Sequence, residues 1–280
     1  MEKMSGMTLE AKNATLGYGK TAVLKNVCFE LKTGQVTCVL GRNGSGKTTL
    51  FKSLLGILPL LSGEILLDGK RTDKWSRRMF ARMVGYVPQA HAVPFPYTVS
   101  EVVLFGRTAH LSRFASPGKK DRLIAEECME RLQIGHLKDR IFTRLSGGEQ
   151  QLVIVARALA QQPLFLIMDE PASNLDFGNQ IKLINRINDF KSSELGVLMA
   201  THSPDHVFMC DADALIVHDG GIWKHGYCGD VMAEEVLNTI YGVDVSVCSV
   251  RKHAGGQSCT KHTCPKSGTG QPHRIYNDKK

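Results

Sequence analysis

Apolar positions recur along this chain in two rhythms. Runs with period two, or with no polar interruption, read as strands, and repeats every three to four residues read as helices. Residues 35–40 are apolar and β-branched and read as a buried strand, with a helix over 50–55 after it. Residues 164–168 form an uninterrupted apolar run, as expected of a parallel strand buried on both faces. Residues 196–202 read as another buried strand with a polar end, and 214–221 with 222–226 as a hairpin. Residues 7–16 alternate loosely, like an edge strand; 22–31, 64–70 and 83–89 complete the strands. Helical texture marks 76–81, 99–106, 150–161, 180–190 and 231–241, Pro163 stopping the helix before it. In 121–132, Ile124, Cys128 and Leu132 share one face. Because residues 90–162 are mainly helical, they read as an insertion. Strands alternating with helices make an α/β fold with a mostly parallel sheet, whose ligand groups belong at the carboxyl ends of the strands.

Length and composition narrow the class. The 280 residues make one large domain or two small ones, with room for a real core. The longest strongly apolar stretch, 54–61, is far short of the roughly 20 residues that span a bilayer. The first residues carry no apolar signal core, so the chain is expected to stay in the cytosol and to meet a membrane only through a partner. The net charge of +8 is mostly local: residues 251–280 hold seven Lys or Arg against one Asp, a net +6, which leaves +2 for residues 1–250. A basic tail of this kind gives no reason to expect nucleic acid as a partner of the body. Eight cysteines, at 28, 38, 128, 210, 228, 248, 259 and 264, form no CxxC pair. They are expected to be reduced, with Cys28, Cys38, Cys128 and Cys210 as small core residues.

Beyond about residue 250 the chain is Gly, Ser, Thr, Lys, His and Pro and reads as a disordered tail. Cys248, His253, Cys259, His262, Cys264 and His273 there could bind a metal, but the spacing C-x10-C-x4-C fits no standard zinc pattern. A flexible basic tail is the simpler reading, and metal sensing stays open.

The chemistry starts at Gly41-Arg42-Asn43-Gly44-Ser45-Gly46-Lys47-Thr48-Thr49, which matches the phosphate-binding pattern G-x-x-x-x-G-K-[ST] between a strand and a helix. Its glycines let backbone N–H groups wrap a phosphate chain at a helix N-terminus. Lys47 is expected to reach the β- and γ-phosphates and the Thr48 hydroxyl to bind Mg2+. The apolar run 164–168 ends in Asp169 and Glu170. Asp169 would support the Mg2+ hydration shell, and Glu170 can reach a water in line with the γ-phosphate, as base or as orienting group. Tyr18, about 23 residues before the loop, reads equally as a purine-stacking aromatic or as decoration of a turn.

The stretch Leu145-Ser146-Gly147-Gly148-Glu149-Gln150 opens a further helix and makes a second anion-binding end. With it the chain resembles the ATP-binding cassette (ABC) ATPases, whose signature is LSGGQ-like, over about residues 7–250. Glu149 stands where Gln is commonest, and Ala172 where Thr is usual. The resemblance implies a P-loop NTPase whose mostly parallel sheet carries an antiparallel β subdomain and an inserted α-helical signature subdomain, about 90–162. It implies Tyr18 on adenine, Gln89 as a Mg2+-sensing glutamine, Ser173-Asn174-Leu175-Asp176 as the D-loop with Asp176 at the nucleotide, and His202 on the γ-phosphate. It further implies a head-to-tail homodimer, each ATP lying between the P-loop of one copy and Ser146, Gly147 and Gly148 of the other.

One cassette, no membrane span and no long heptad region leave the ATPase subunit of an importer as the implied class. It would act on the cytoplasmic face of the cell membrane with separate permease subunits and, indirectly, an extracytoplasmic substrate-binding protein. The rival class is a cytosolic ABC ATPase of iron–sulfur assembly. Residues 92–108 and the ending Tyr241-Gly242-Val243-Asp244-Val245 resemble importers of chelated metals: iron–siderophore, haem, cobalamin or molybdate types. Zinc or manganese ions are the runner-up cargos. The permease would be engaged through the Gln89 loop and residues 94–104.

Overall fold

The alternation that a strand imposes on its side chains decides how this chain is layered. The structure, a computed structural model, describes residues 6–89, 95–112, 115–251 and 259–265. The chain runs β1 (Thr8–Tyr18), β2 (Thr21–Lys32), β3 (Val36–Leu40), α1 (Lys47–Leu54), β4 (Leu60–Leu67), β5 (Lys70–Arg71), α2 (Arg77–Met83) and β6 (Val84–Val87). It continues through α3 (Val99–Leu104), α4 (Lys119–Arg131), α5 (Gly147–Ala160), β7 (Phe165–Asp169), α6 (Phe177–Asp189), β8 (Gly196–Ala200) and α7 (Pro204–Met209). Last come β9 (Asp213–His218), β10 (Gly221–Tyr227), α8 (Cys228–Val231), α9 (Glu234–Tyr241), β11 (Val245–Arg251) and β12 (Cys259–Pro265).

Six strands form the central sheet in the order β10-β9-β3-β8-β7-β6. Five are parallel and β10 is antiparallel to β9. β3, β7 and β8 are buried at every position, which is why they read as continuous apolar runs. Period two divides them between two cores. Cys38, Leu40, Leu166, Met168, Val197, Met199, Ala214 and Ile216 face a core shared with the helices. Val39, Phe165, Ile167, Leu198, Leu215 and Val217 face another, closed by Leu50, Phe51 and Leu54 of α1 and by a four-stranded antiparallel sheet ordered β2-β1-β4-β5.

The segment read as an edge strand, β1, is interior to that sheet, paired with β2 on one side and β4 on the other. Its loose alternation comes from register shifts between Ala11 and Ala14 and beyond, at the left-handed Asn13 (φ 47°). Cys28 is likewise not a core residue. The period of β2 turns Val27 and Phe29 inward and leaves Cys28 exposed, its Sγ donating to Asn13 Oδ1 at 3.2 Å. Cys38, Cys128 and Cys210 are buried.

The insertion is helical. α5 starts at Gly147, three residues ahead of the periodicity, because Ser146 and Glu149 cap it reciprocally: the Glu149 amide donates to Ser146 Oγ (3.3 Å), and the Ser146 amide to Glu149 Oε2 (2.8 Å). Those bonds hold the Glu149 carboxyl below its usual range. Gly106 lies so close to α5 that a Cβ there would meet the Arg157 carbonyl oxygen at 2.1 Å. Beside it, buried Arg107 donates to Asp121 Oδ1 (2.9 Å), the Ala160 carbonyl (2.8 Å) and Gln162 Oε1 (3.0 Å), tying the start of α4 to the end of α5.

The tail expected to be disordered from 251 is not so throughout: β12 pairs with β11 from Arg251–Cys259 to Val245–Pro265. The pairing brings together strands separated in sequence, so local composition does not reveal it. His253 and His273 of the candidate metal set lie outside the described residues, as does Pro94 of the expected permease segment. Among the described residues no helix is long and apolar enough to cross a membrane.

Candidate active site

The strand order puts the carboxyl ends of β3, β7 and β8 side by side, and the loops after them carry most of the expected site. The loop after β3 turns through Gly44 (φ 80°) and Gly46 (φ 107°), left-handed conformations that suit glycine, and delivers Lys47 and Thr48 into the first turn of α1. Lys47 is buried, and its ammonium donates to the carbonyls of Gly41 (2.8 Å) and Arg42 (3.2 Å). Burial pushes that ammonium below its ordinary value, with Glu170 and Asp169 pulling the other way. Ser45 Oγ, in the same loop, is buried without a hydrogen-bond partner, which is how a hydroxyl aimed at a ligand phosphate would stand.

β7 ends on Asp169, which is 2% exposed and accepts the Thr48 hydroxyl at 2.9 Å. Burial raises its carboxyl, and the Thr48 bond partly opposes that rise. The same cluster pushes the half-buried Tyr86 phenol up to about 12, first by desolvation and then by Asp169. No group of three or more His, Cys, Asp or Glu side chains stands together as a metal site among the described residues. A hydroxyl and one carboxylate are the sparse oxygen set that suits Mg2+, which keeps waters and takes further ligands from phosphates. The donors present therefore fit that ion.

Glu170 has a positive φ of 50°, so the chain turns sharply out of β7 and aims its carboxylate back across the strand ends. Its Oε2 accepts the Gln89 amide at 3.0 Å and lies 3.7 Å from His202 Nδ1, while Oε1 is 4.0 Å from Lys47 Nζ. A cleft of about 350 Å³ opens beside Glu170 and His202, lined also by Pro171, Ala172, Ser173 and Thr201. Lys47, Thr48, Gln89, Asp169, Glu170 and His202 thus form one cluster of a cation, hard oxygen donors and a poised carboxylate, the inventory of phosphoryl transfer to water.

Other expected residues stand apart. Tyr18 ends β1 and is 48% exposed, free to stack. Arg42, Asn43 and Gly44 are exposed along the loop, and Thr49 is buried under it. Ser146, Gly147 and Gly148 start α5, and Asp176 caps α6 by accepting the Asn179 amide at 2.9 Å. Among the described residues no hydrogen bond joins Ser146–Gly148 or Asp176 to the loop 41–49. One group at the site went unforeseen: the Tyr241 hydroxyl, which donates to the His202 carbonyl at 2.9 Å. The sequence carries no signal for it, since the two residues stand 39 positions apart and meet only in the folded chain.

Known proteins resemble this chain in sequence and in fold. A family model described as ABC transporter matches residues 24–173. An uncharacterized ABC transporter ATP-binding protein of Haemophilus influenzae is 39% identical, the match covering 84% of this chain and 89% of the relative. A probable iron chelatin transport ATP-binding protein of Helicobacter pylori is 35% identical over 84% of this chain and 93% of its own. A hemin import ATP-binding protein of a Ruegeria species is 33% identical over 86% and 93%. Among solved structures, an inward-facing ABC transporter described as metal-chelate type superposes with a TM-score of 0.81 at 29% identity, covering 94% of this chain and 99% of that one. The chain belongs to the ABC transporter family, and it is one of the ATP-binding cassettes that hydrolyse ATP to drive transport.

Proposed function

We propose that this cassette powers uptake of a chelated metal through a separate membrane permease, sitting peripherally on the cytoplasmic face of the membrane. An extracytoplasmic binding protein delivers the cargo. The printed names of the relatives support the cargo class, because iron chelatin, hemin, iron(3+)-hydroxamate and molybdate transport recur among them. Zinc or manganese import is the second cargo reading, and a cytosolic role in iron–sulfur assembly the second class.

The observation that carries the mechanism is the Glu170 carboxylate, which accepts the Gln89 amide and lies 3.7 Å from His202 Nδ1, beside the Thr48–Asp169 pair. Tyr18 stacks on adenine. Residues 41–49 hold the phosphates, Lys47 neutralising charge on the β- and γ-groups. Thr48 and Asp169, joined by Gln89, would hold Mg2+, which when bound spreads the charge of the transferring phosphoryl group. Glu170 orients the attacking water and accepts its proton. His202 contacts the γ-phosphate. Ser146, Gly147, Gly148 and Asp176 complete the site of a second copy placed head to tail, so ATP closes the dimer and hydrolysis opens it.

Glu170→Gln tests this. The variant should bind ATP, accumulate closed dimers that co-purify with a polytopic membrane protein, and lose turnover by about 10²- to 10⁴-fold, the usual worth of a general base. Turnover at the parent rate would exclude Glu170 from the chemistry, and recovery only with soluble scaffold proteins would exclude import.

A further inference from the structure

His202 presents its imidazole from the loop after β8 with 59% of the side chain exposed, its Nδ1 lying 3.7 Å from Glu170 Oε2. Its backbone is what is held. We propose that Tyr241 is a positioning residue for His202, fixing through its hydroxyl the carbonyl of that residue and hence the peptide plane from which the imidazole projects. This rests on the reading of His202 as the γ-phosphate contact.

Three sets of contacts make the brace rigid. The first is the bond itself, 2.9 Å from the Tyr241 hydroxyl to the His202 carbonyl. Burial raises the Tyr241 phenol, so it stays a donor at any working pH. The second fixes α9, which carries Tyr241: the Val245 amide donates to Asn238 Oδ1 (2.7 Å) and the Val247 amide to Glu234 Oε1 (2.9 Å). β11, which supplies those amides, is paired along its length with β12. The third fixes α7, which begins two residues past His202. The amide and hydroxyl of Thr263 on β12 both donate to Asp205 Oδ1, at 2.8 and 2.9 Å. On the other side of His202, Thr201 Oγ1 accepts the Ser203 amide (3.1 Å) and meets His206 Nδ1 (2.9 Å). The His202 peptide is therefore clamped from both flanks, and the hairpin holds the helices that do it. Ring packing alone would be met equally by phenylalanine; only the hydroxyl reaches the carbonyl.

The test uses the full chain in the Glu170→Gln background, which separates binding from turnover, and measures ATP and ADP affinities with Mg2+. Tyr241→Phe should weaken ATP by roughly two- to tenfold, the net worth of one hydrogen bond, and leave ADP unchanged, because ADP lacks the phosphate that His202 touches. His202→Ala should shift ATP the same way and further, and the double variant should match His202→Ala alone. If His202→Ala shifts ATP while Tyr241→Phe does not, the brace is refuted and the role of His202 stands. Equal losses for ATP and ADP in Tyr241→Phe would mean that the hydroxyl serves only the fold, which also refutes it. If His202→Ala leaves ATP over ADP unaltered, the γ-phosphate reading of His202 fails, and the positioning role fails with it.

Discussion

Arg107 carries a full charge into the helical insertion, away from the phosphate loop, and three partners compensate it. Asp121 is the charged one, and Arg107 together with the Gly118 amide holds its carboxyl below the usual carboxylate value. A lowered carboxylate contributes stability that is complete above its unfolded pKa and is lost as pH falls through the folded one. Asp121→Asn should therefore unfold at a lower urea concentration than the parent by a constant margin near neutrality, and the margin should close below about pH 4, near the ordinary aspartate value. A margin that does not narrow as pH falls below that value would mean that shape, not charge, is what Asp121 supplies. None of this can be read along the sequence, where Arg107 is one more basic residue before a polar loop and its partners lie 14, 53 and 55 positions away. That Lys47, Thr48 and Asp169 stand together is legible, because the spacing of the loop and the apolar run before Asp169 set each of them at or just past a strand end. Cys28 is misread because its apolar neighbours sit on the opposite face of the same strand.

At the scale of elements, the insertion depends on how closely the turn after α3 approaches α5. Gly106→Ala would drive a methyl group into the Arg157 carbonyl, a backbone atom that cannot rotate away. The two segments must part, and the expected loss is about 1–3 kcal/mol, the range for overpacking, seen as a lower thermal midpoint with ATP affinity little changed. An unchanged midpoint would show that the insertion yields freely. The periodic elements announce themselves in sequence: the continuous apolar runs are the strands buried on both faces, and 121–132 is amphipathic as read. Where the reading fails, distant pairing overrides local pattern. β1 looks like an edge because bulges break its alternation, and β12 looks like disorder because its partner strand and Asp205 supply what its composition lacks.

For the whole molecule, the separation of Ser146–Gly148 from the phosphate loop matters most. A long cation at Ser146 should leave ATP binding by a single copy intact, because no hydrogen bond runs from Ser146 to that loop, yet should block the surface that the proposed head-to-tail dimer would offer to a second copy. Ser146→Arg is expected to bind ATP normally and to lose turnover; normal turnover would refute a shared site. The same molecule has a history during synthesis. β3, which presents the phosphate loop, has no neighbour near it in sequence within its own sheet: Val36 pairs with Val197 and Thr37 with Asp213. A ribosome working at about 5–20 residues per second delivers the loop many seconds before either flank exists. Until β8 and β9 emerge, both edges of β3 lack their parallel partners, and Asp169, which accepts the Thr48 hydroxyl, also comes late. A nascent chain with the whole phosphate motif already made therefore still lacks both sheet neighbours of the strand that presents it.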